Sequence, residues 1–137
     1  VAHVVVPGLG DSERPASLSQ LVIDRAKKLP GSPVVLADDL EMGALEGWGD
    51  LPERVVAALQ ARNHGMLVCN AVDRLDDIND HLTELAGRDS TLATRLTEMS
   101  ARMGTLRRDL CQQAAAVPAP DDATVEQLWQ QARREAG

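Results

Sequence analysis

Aromatic side chains are nearly missing from this chain, which has no Phe, no Tyr and two Trp, Trp48 and Trp129. Any core must therefore be assembled from Val, Leu, Ala, Ile and Met. Cysteine is scarce as well: Cys69 and Cys111 lie far apart with no C-x-x-C spacing. That excludes a disulfide framework and makes a reducing compartment, the cytoplasm, the default. Cys69 sits in an apolar run and reads as a small buried hydrophobe. Positive charge is short, with 14 Lys and Arg against 21 Asp and Glu and a formal net charge of −7. A nucleic-acid partner is not expected, because neutralising phosphates needs a basic surface. Arg107-Arg108, followed at once by Asp109, reads as a solvated helix face. A membrane partner is not expected either, since no apolar run approaches the roughly 18 residues that span a bilayer. Several catalytic signatures are also lacking: there is no nucleophile elbow, P-loop or H-E-x-x-H. Gly8-Leu9-Gly10 has no third glycine to make a dinucleotide site.

What is present is a repeated grammar of apolar run, loop and helix. Val1 to Val6 is a β-branched run stopped by Pro7-Gly8. Ser17 is placed to cap a helix from about Leu18 to Leu29. Pro33 to Ala37 forms a second apolar run, followed by the glycine-rich stretch Gly43, Gly47, Gly49 and a helix from about Pro52 to Arg62. Asn63-His64-Gly65 reads as the C-cap of that helix, and Met66 to Cys69 as a third strand closing on Asn70. Leu75, Ile78, Leu82 and Leu85 recur at helical spacing. A longer amphipathic helix is expected from about Thr91 to Ala115, then a linker from Val117 to Asp121 and a last helix from Thr124 to Glu135. The pattern specifies an α/β fold with parallel strands and right-handed crossovers. Two regions are expected, 1–86 with the β/α units and 87–137 as a helical extension. Three strands leave two open sheet edges, a poor independent fold. Val1 to Val6 also reads as a core strand with no lead-in, so the chain is expected to be truncated.

The chemistry is concentrated where the second run ends, at Val34-Val35-Leu36-Ala37-Asp38-Asp39. A strand buried by helices on both faces is continuously apolar. Acids directly after it fall at the carboxyl edge of the sheet, where α/β folds place their reactions. Either acid can instead cap the next helical turn. Strand alternation sends neighbouring side chains apart, so Asp38 and Asp39 cannot face one substrate alike. A glycosidase needs two carboxyl groups flanking the anomeric carbon, and the partner acid must come from another loop. Asn70 ends the third strand at the same edge. His3 is either a polar rim residue or part of a site; a small hydrolase using His3 with Asp38 is a third possibility. No metal is expected, since two neighbouring Asp without further clustered ligands make a weak site.

Four segments occur in order: Ala2-His3-Val4-Val5-Val6-Pro7, Glu13-Arg14-Pro15-Ala16-Ser17-Leu18-Ser19, Ala37-Asp38-Asp39-Leu40-Glu41-Met42-Gly43-Ala44 and Leu67-Val68-Cys69-Asn70. The series resembles glycoside hydrolase family 3, specifically the bacterial β-N-acetylglucosaminidases of peptidoglycan recycling. The resemblance covers roughly 1–86 and implies strands six to eight of a TIM (β/α)₈ barrel. It implies a retaining double displacement with Asp38 as the nucleophile and Asp39 supporting its loop. His3, Met42 and Asn70 become candidates for the pocket holding the N-acetylglucosamine unit, with no cofactor. The family's acid/base segment, resembling K-H-F-P-G-H-G, does not occur in this sequence, and neither do the first five strands. Leu29-Pro30-Gly31-Ser32 also departs from the family's G-F-x-G. The expectation is a chain that is inactive alone and needs the N-terminal part of the barrel or self-association. The alternative is a non-catalytic interaction module derived from a barrel fragment.

Overall fold

The computed structural model describes residues 1–117 and 119–135. Pro118, within the expected linker, and Ala136 and Gly137, at the end of the expected helical extension, lie outside the described residues. The elements run α1 (Gln20–Lys27), β1 (Leu36–Asp39), α2 (Leu51–Gln60), β2 (Gly65–Leu67), α3 (Leu75–Arg88), α4 (Ser90–Ala115) and α5 (Asp122–Glu135). The chain divides into two compact units, Val1–Leu106 and Arg107–Gly137. The division falls within α4, later than the expected boundary after residue 86. The second unit holds the end of α4 and α5, and α5 buries none of its described residues.

In the first unit β1 and β2 pair in parallel, with Leu36 opposite Gly65, Ala37 opposite Met66 and Asp39 opposite Leu67. Helix α2 makes the crossover. It starts on a reciprocal capping box: the Asp50 carboxylate accepts from the Glu53 amide at 3.0 Å, and Glu53 accepts from the Asp50 amide at 2.8 Å. Such a box satisfies two otherwise orphaned donors. The core is aliphatic, as the lack of aromatics requires. Leu40, Leu45 and Ala58 are fully enclosed among Leu18, Ala37, Leu51, Val55 and Ile78, with Trp48 packed against them. A smaller cluster of Ile23, Val35 and Ala61 seals α1 against the start of β1.

Two of the three expected strands form among the described residues. Val1 begins as if to join β1, donating its amino group to the Leu36 carbonyl at 2.6 Å and accepting the Asp38 amide at 3.1 Å. The run then leaves the edge, because the Val4 carbonyl is taken by the Ala16 amide at 2.8 Å and Val6 bridges antiparallel to Asp11. Val4 and Val5 remain exposed. A β-branched run becomes a strand by packing and pairing on a sheet, and no second strand covers its far side among the described residues. The cap of α1 also shifts, from the expected Ser17 to Ser19, whose hydroxyl accepts from the Val22 amide. Ser17 is buried and engaged elsewhere. At the end of α2, the left-handed residue is Arg62 (φ 71°), not the Asn63-His64-Gly65 group. Gly65 is required for a different reason. A Cβ there would lie 2.8 Å from Leu36 Cδ2 and 3.3 Å from the Met103 sulfur, so β1 and α4 both close on bare backbone.

Candidate active site

The register of the parallel pair slips between Ala37 and Asp39. Asp38 is the residue at the slip. Irregularities of this type re-aim a side chain, and here the Asp38 amide turns outward to Val1 while its carboxylate lies exposed at the carboxyl end of β1. The Asp38 Oδ1 accepts from the Asp39 amide at 2.9 Å, which fixes the carboxylate over the turn. The Asp39 Oδ1 caps the turn by accepting from the Glu41 amide at 3.2 Å. Both carboxylates thus accept a backbone amide of the turn, and Asp38 is the more exposed of the two.

His3 is buried beneath this turn. Its Nε2 lies 2.8 Å from the Asp39 carbonyl oxygen and its Nδ1 2.6 Å from the Ser17 hydroxyl. A carbonyl only accepts, so Nε2 carries the proton and Nδ1 accepts from Ser17. His3 therefore bears on the site from below, as a tie between the Asp39 backbone and the segment entering α1. Met42 donates its amide to the Asp39 carbonyl at 3.1 Å, and its side chain is about half exposed on the rim.

Glu41 is the residue that sequence reasoning missed. Its Oε2 accepts from the Cys69 and Asn70 amides at 2.8 and 2.6 Å, and its Oε1 from the Ala71 amide at 3.0 Å. One carboxylate thereby binds the loop after β1 to the loop after β2. A group with both oxygens accepting three N–H donors serves as an acceptor, not a proton donor. The partners lie about thirty residues away, and no local motif announces such a contact. Asn70 is brought to the same rim by this clamp, with its side chain exposed.

Cys69 is exposed, contrary to the buried role expected of it. The strand ends at Leu67, Val68 still packs against the core, and from Cys69 the chain follows the Glu41 clamp along the surface. The Cys69 thiol titrates above its ordinary range, first because the loop strips part of its hydration, then because of the Asp39 charge and hydrogen bond and the Glu41 and Asp38 charges. That influence places Asp38, Asp39, Glu41 and Cys69 in one acidic rim. Among the described residues no set of three or more His, Cys, Asp and Glu is arranged to hold a metal ion, and no helix is long and apolar enough to cross a membrane.

Comparison with known proteins gives a partial likeness. Over 94 residues the chain is 32% identical to a protein named β-hexosaminidase from two strains of Neisseria gonorrhoeae, covering 64% of this chain and 26% of that protein. Over 79 residues it is 32% identical to a β-hexosaminidase of Methylobacillus flagellatus, covering 56% of this chain and 22% of the relative. The chain spans about a quarter of the length of the curated relatives it matches. No family model matches, and no solved structure matches. The finding relates part of this chain, distantly, to glycoside hydrolases.

Proposed function

We propose that this chain is the C-terminal part of a family 3 β-N-acetylhexosaminidase, with Asp38 as the nucleophile of a retaining mechanism. The observation that carries the reading is the position of Asp38: an exposed carboxylate at the carboxyl end of a parallel strand, aimed by a register slip. The partial identity to β-hexosaminidases supports the same class. In this reading β1 and β2 are barrel strands seven and eight, and the Val1–Val6 segment becomes strand six once a neighbouring strand covers its free edge. The substrate is a terminal β-linked N-acetylglucosamine of a peptidoglycan-derived fragment, handled in the cytoplasm without metal or cofactor.

The chemistry divides between this chain and the rest of the barrel. Asp38 attacks the anomeric carbon and forms the glycosyl-enzyme, and water then releases the sugar with retention. Asp39 and His3 hold the backbone from which Asp38 projects, Glu41 fixes the opposing loop, and Met42 and Asn70 line the sugar pocket. The proton donor for the leaving group comes from a segment outside this sequence. General acid catalysis contributes about 10²–10⁴-fold, so the chain alone shows no useful turnover.

The test is complementation. The chain is mixed with a polypeptide supplying strands one to five of a β-hexosaminidase, and nitrophenol release from the β-N-acetylglucosaminide is followed. Hydrolysis is expected only in the mixture, and Asp38→Asn is expected to lower it by more than about a thousandfold. Hydrolysis in the mixture that is indifferent to Asp38→Asn would overturn the assignment. Rapid Asp38-dependent hydrolysis by the chain alone would overturn the division of labour. A second reading, a non-catalytic interaction module, is favoured by one observation: Val1–Leu106 encloses an aliphatic core of its own. A stable folded chain that binds no complementing polypeptide would support it.

A further inference from the structure

A cavity of about 520 Å³ lies within the first unit, walled by the end of α1, the end of α2 and the middle of α4. It belongs to the opposite end of the strands from Asp38: His64, in its wall, directly precedes β2, and Arg102 of the same wall donates to the carbonyl of Ser32, ahead of β1. Four cationic side chains line it, Lys27, Arg62, Arg95 and Arg102. The nearby carboxylates are Glu98 in the wall and Asp24, which lies 3.7 Å from Arg62. Two positive charges are therefore left over, in a chain whose formal net charge is −7.

Two of the cations are held by hydrogen bonds to backbone carbonyls. Arg95 donates to the Gln60 carbonyl and Arg102 to the Ser32 carbonyl at 2.6 Å. Each guanidinium has five N–H donors in a rigid fork, so most of its capacity remains for a ligand. Their mutual repulsion is felt at Lys27 and at His64. Both titrate below their ordinary ranges, first through loss of hydration, then through the neighbouring positive charges. Arg62 takes the left-handed position that closes α2. Asn63, buried in the same wall, donates Nδ2 to the Ser17 and Ala58 carbonyls, while its Oδ1 has no donor.

We infer that this cavity binds a small phosphate monoester of about monosaccharide size. A phosphate monoester carries about −1.5 to −2 charge near neutral pH, which matches the excess of two positive charges. Guanidinium forks pair with phosphate oxygens two at a time. The volume lies within the range of small-molecule sites, about 300–1,000 Å³, and exceeds what a bare phosphate fills. Leu59 and Met99 supply apolar wall for a carbon skeleton. The inference does not depend on the glycosidase reading, since no residue of the Asp38 rim takes part.

The experiment is calorimetric titration of the full chain at low ionic strength with glucose 6-phosphate, inorganic phosphate, glucose and malonate. Saturable one-to-one binding of glucose 6-phosphate is expected, tighter than that of inorganic phosphate, with none for glucose and little for malonate. Lys27→Gln and Arg102→Gln are each expected to weaken it by about tenfold or more. Because Arg102 also secures the Ser32 carbonyl, Lys27→Gln and its control Lys27→Arg carry the decision, with helix content by circular dichroism confirming the fold. Unchanged affinity in Lys27→Gln would overturn the site. Equal binding of malonate would overturn its phosphate chemistry, and equal binding of inorganic phosphate its size.

Discussion

Replacing His3 by Ala tests whether the carboxyl rim is held from beneath. The imidazole is 8% exposed and the Ser17 hydroxyl it accepts from is fully enclosed. Removing the ring strands the buried Ser17 hydroxyl and takes one of two donors from the Asp39 carbonyl, which keeps the Met42 amide. An unsatisfied buried group costs about 1–3 kcal/mol, so His3→Ala should destabilise the chain by about 1–3 kcal/mol. Ser17→Ala strands the imidazole acceptor alone and should cost about 1–2 kcal/mol. The double variant should fall short of the sum by about 1–2 kcal/mol, because the same contact is lost twice. Urea unfolding of the full chain, followed by far-ultraviolet circular dichroism, gives all three values. A loss below about 0.5 kcal/mol for His3→Ala, as expected for a surface position, would refute the tie and return His3 to a purely ligand-facing role.

Other perturbations address the remaining features. Glu41→Ala releases the amides of Cys69, Asn70 and Ala71 together; hydrogen exchange at those three should accelerate as a block, with a loss of about 1–2 kcal/mol because water reaches part of the clamp. Gly65→Ala drives a methyl against Leu36 and the Met103 sulfur, so thermal melts should show about 1–3 kcal/mol of destabilisation. His64 has a folded-state pKa below its ordinary value, and its Nδ1 accepts from the Val35 amide at 3.0 Å. The unfolded chain then binds the proton more readily, so stability is complete above about pH 6.5 and declines as pH falls below it. His64→Gln should flatten that slope in melts between pH 7.5 and 5.5. The Cys69 thiol, raised first by loss of hydration and then by its acidic neighbours, should react slowly with a thiol reagent at neutral pH and somewhat faster in Asp39→Asn.

Much of the first unit was legible because its information is local. The helical spacing of Leu75, Ile78 and Leu82 and the proline near the start of α2 mark elements that form close to where they were expected. The Asp38-Asp39 step was legible in part: an apolar run meeting acids marks a strand end, but the strand is Leu36–Asp39, with both acids inside it, rather than Pro33–Ala37. What escaped depends on distant contacts. Val1 to Val6 carries strand propensity, yet pairing decides, and its pairing lapses after Val1. Cys69 looked apolar by its neighbours, but the Glu41 clamp draws its loop to the surface. The cavity cations are scattered from Lys27 to Arg102, and only the packing of α4 against α1 and α2 assembles them.

The Glu41 bridge makes two surface loops mechanically one. A displacement of the segment after β1 is delivered to the segment after β2 without passing through the hydrophobic interior. Any attempt to reshape this face by grafting or loop exchange must therefore transplant the pair together with the glutamate that joins them.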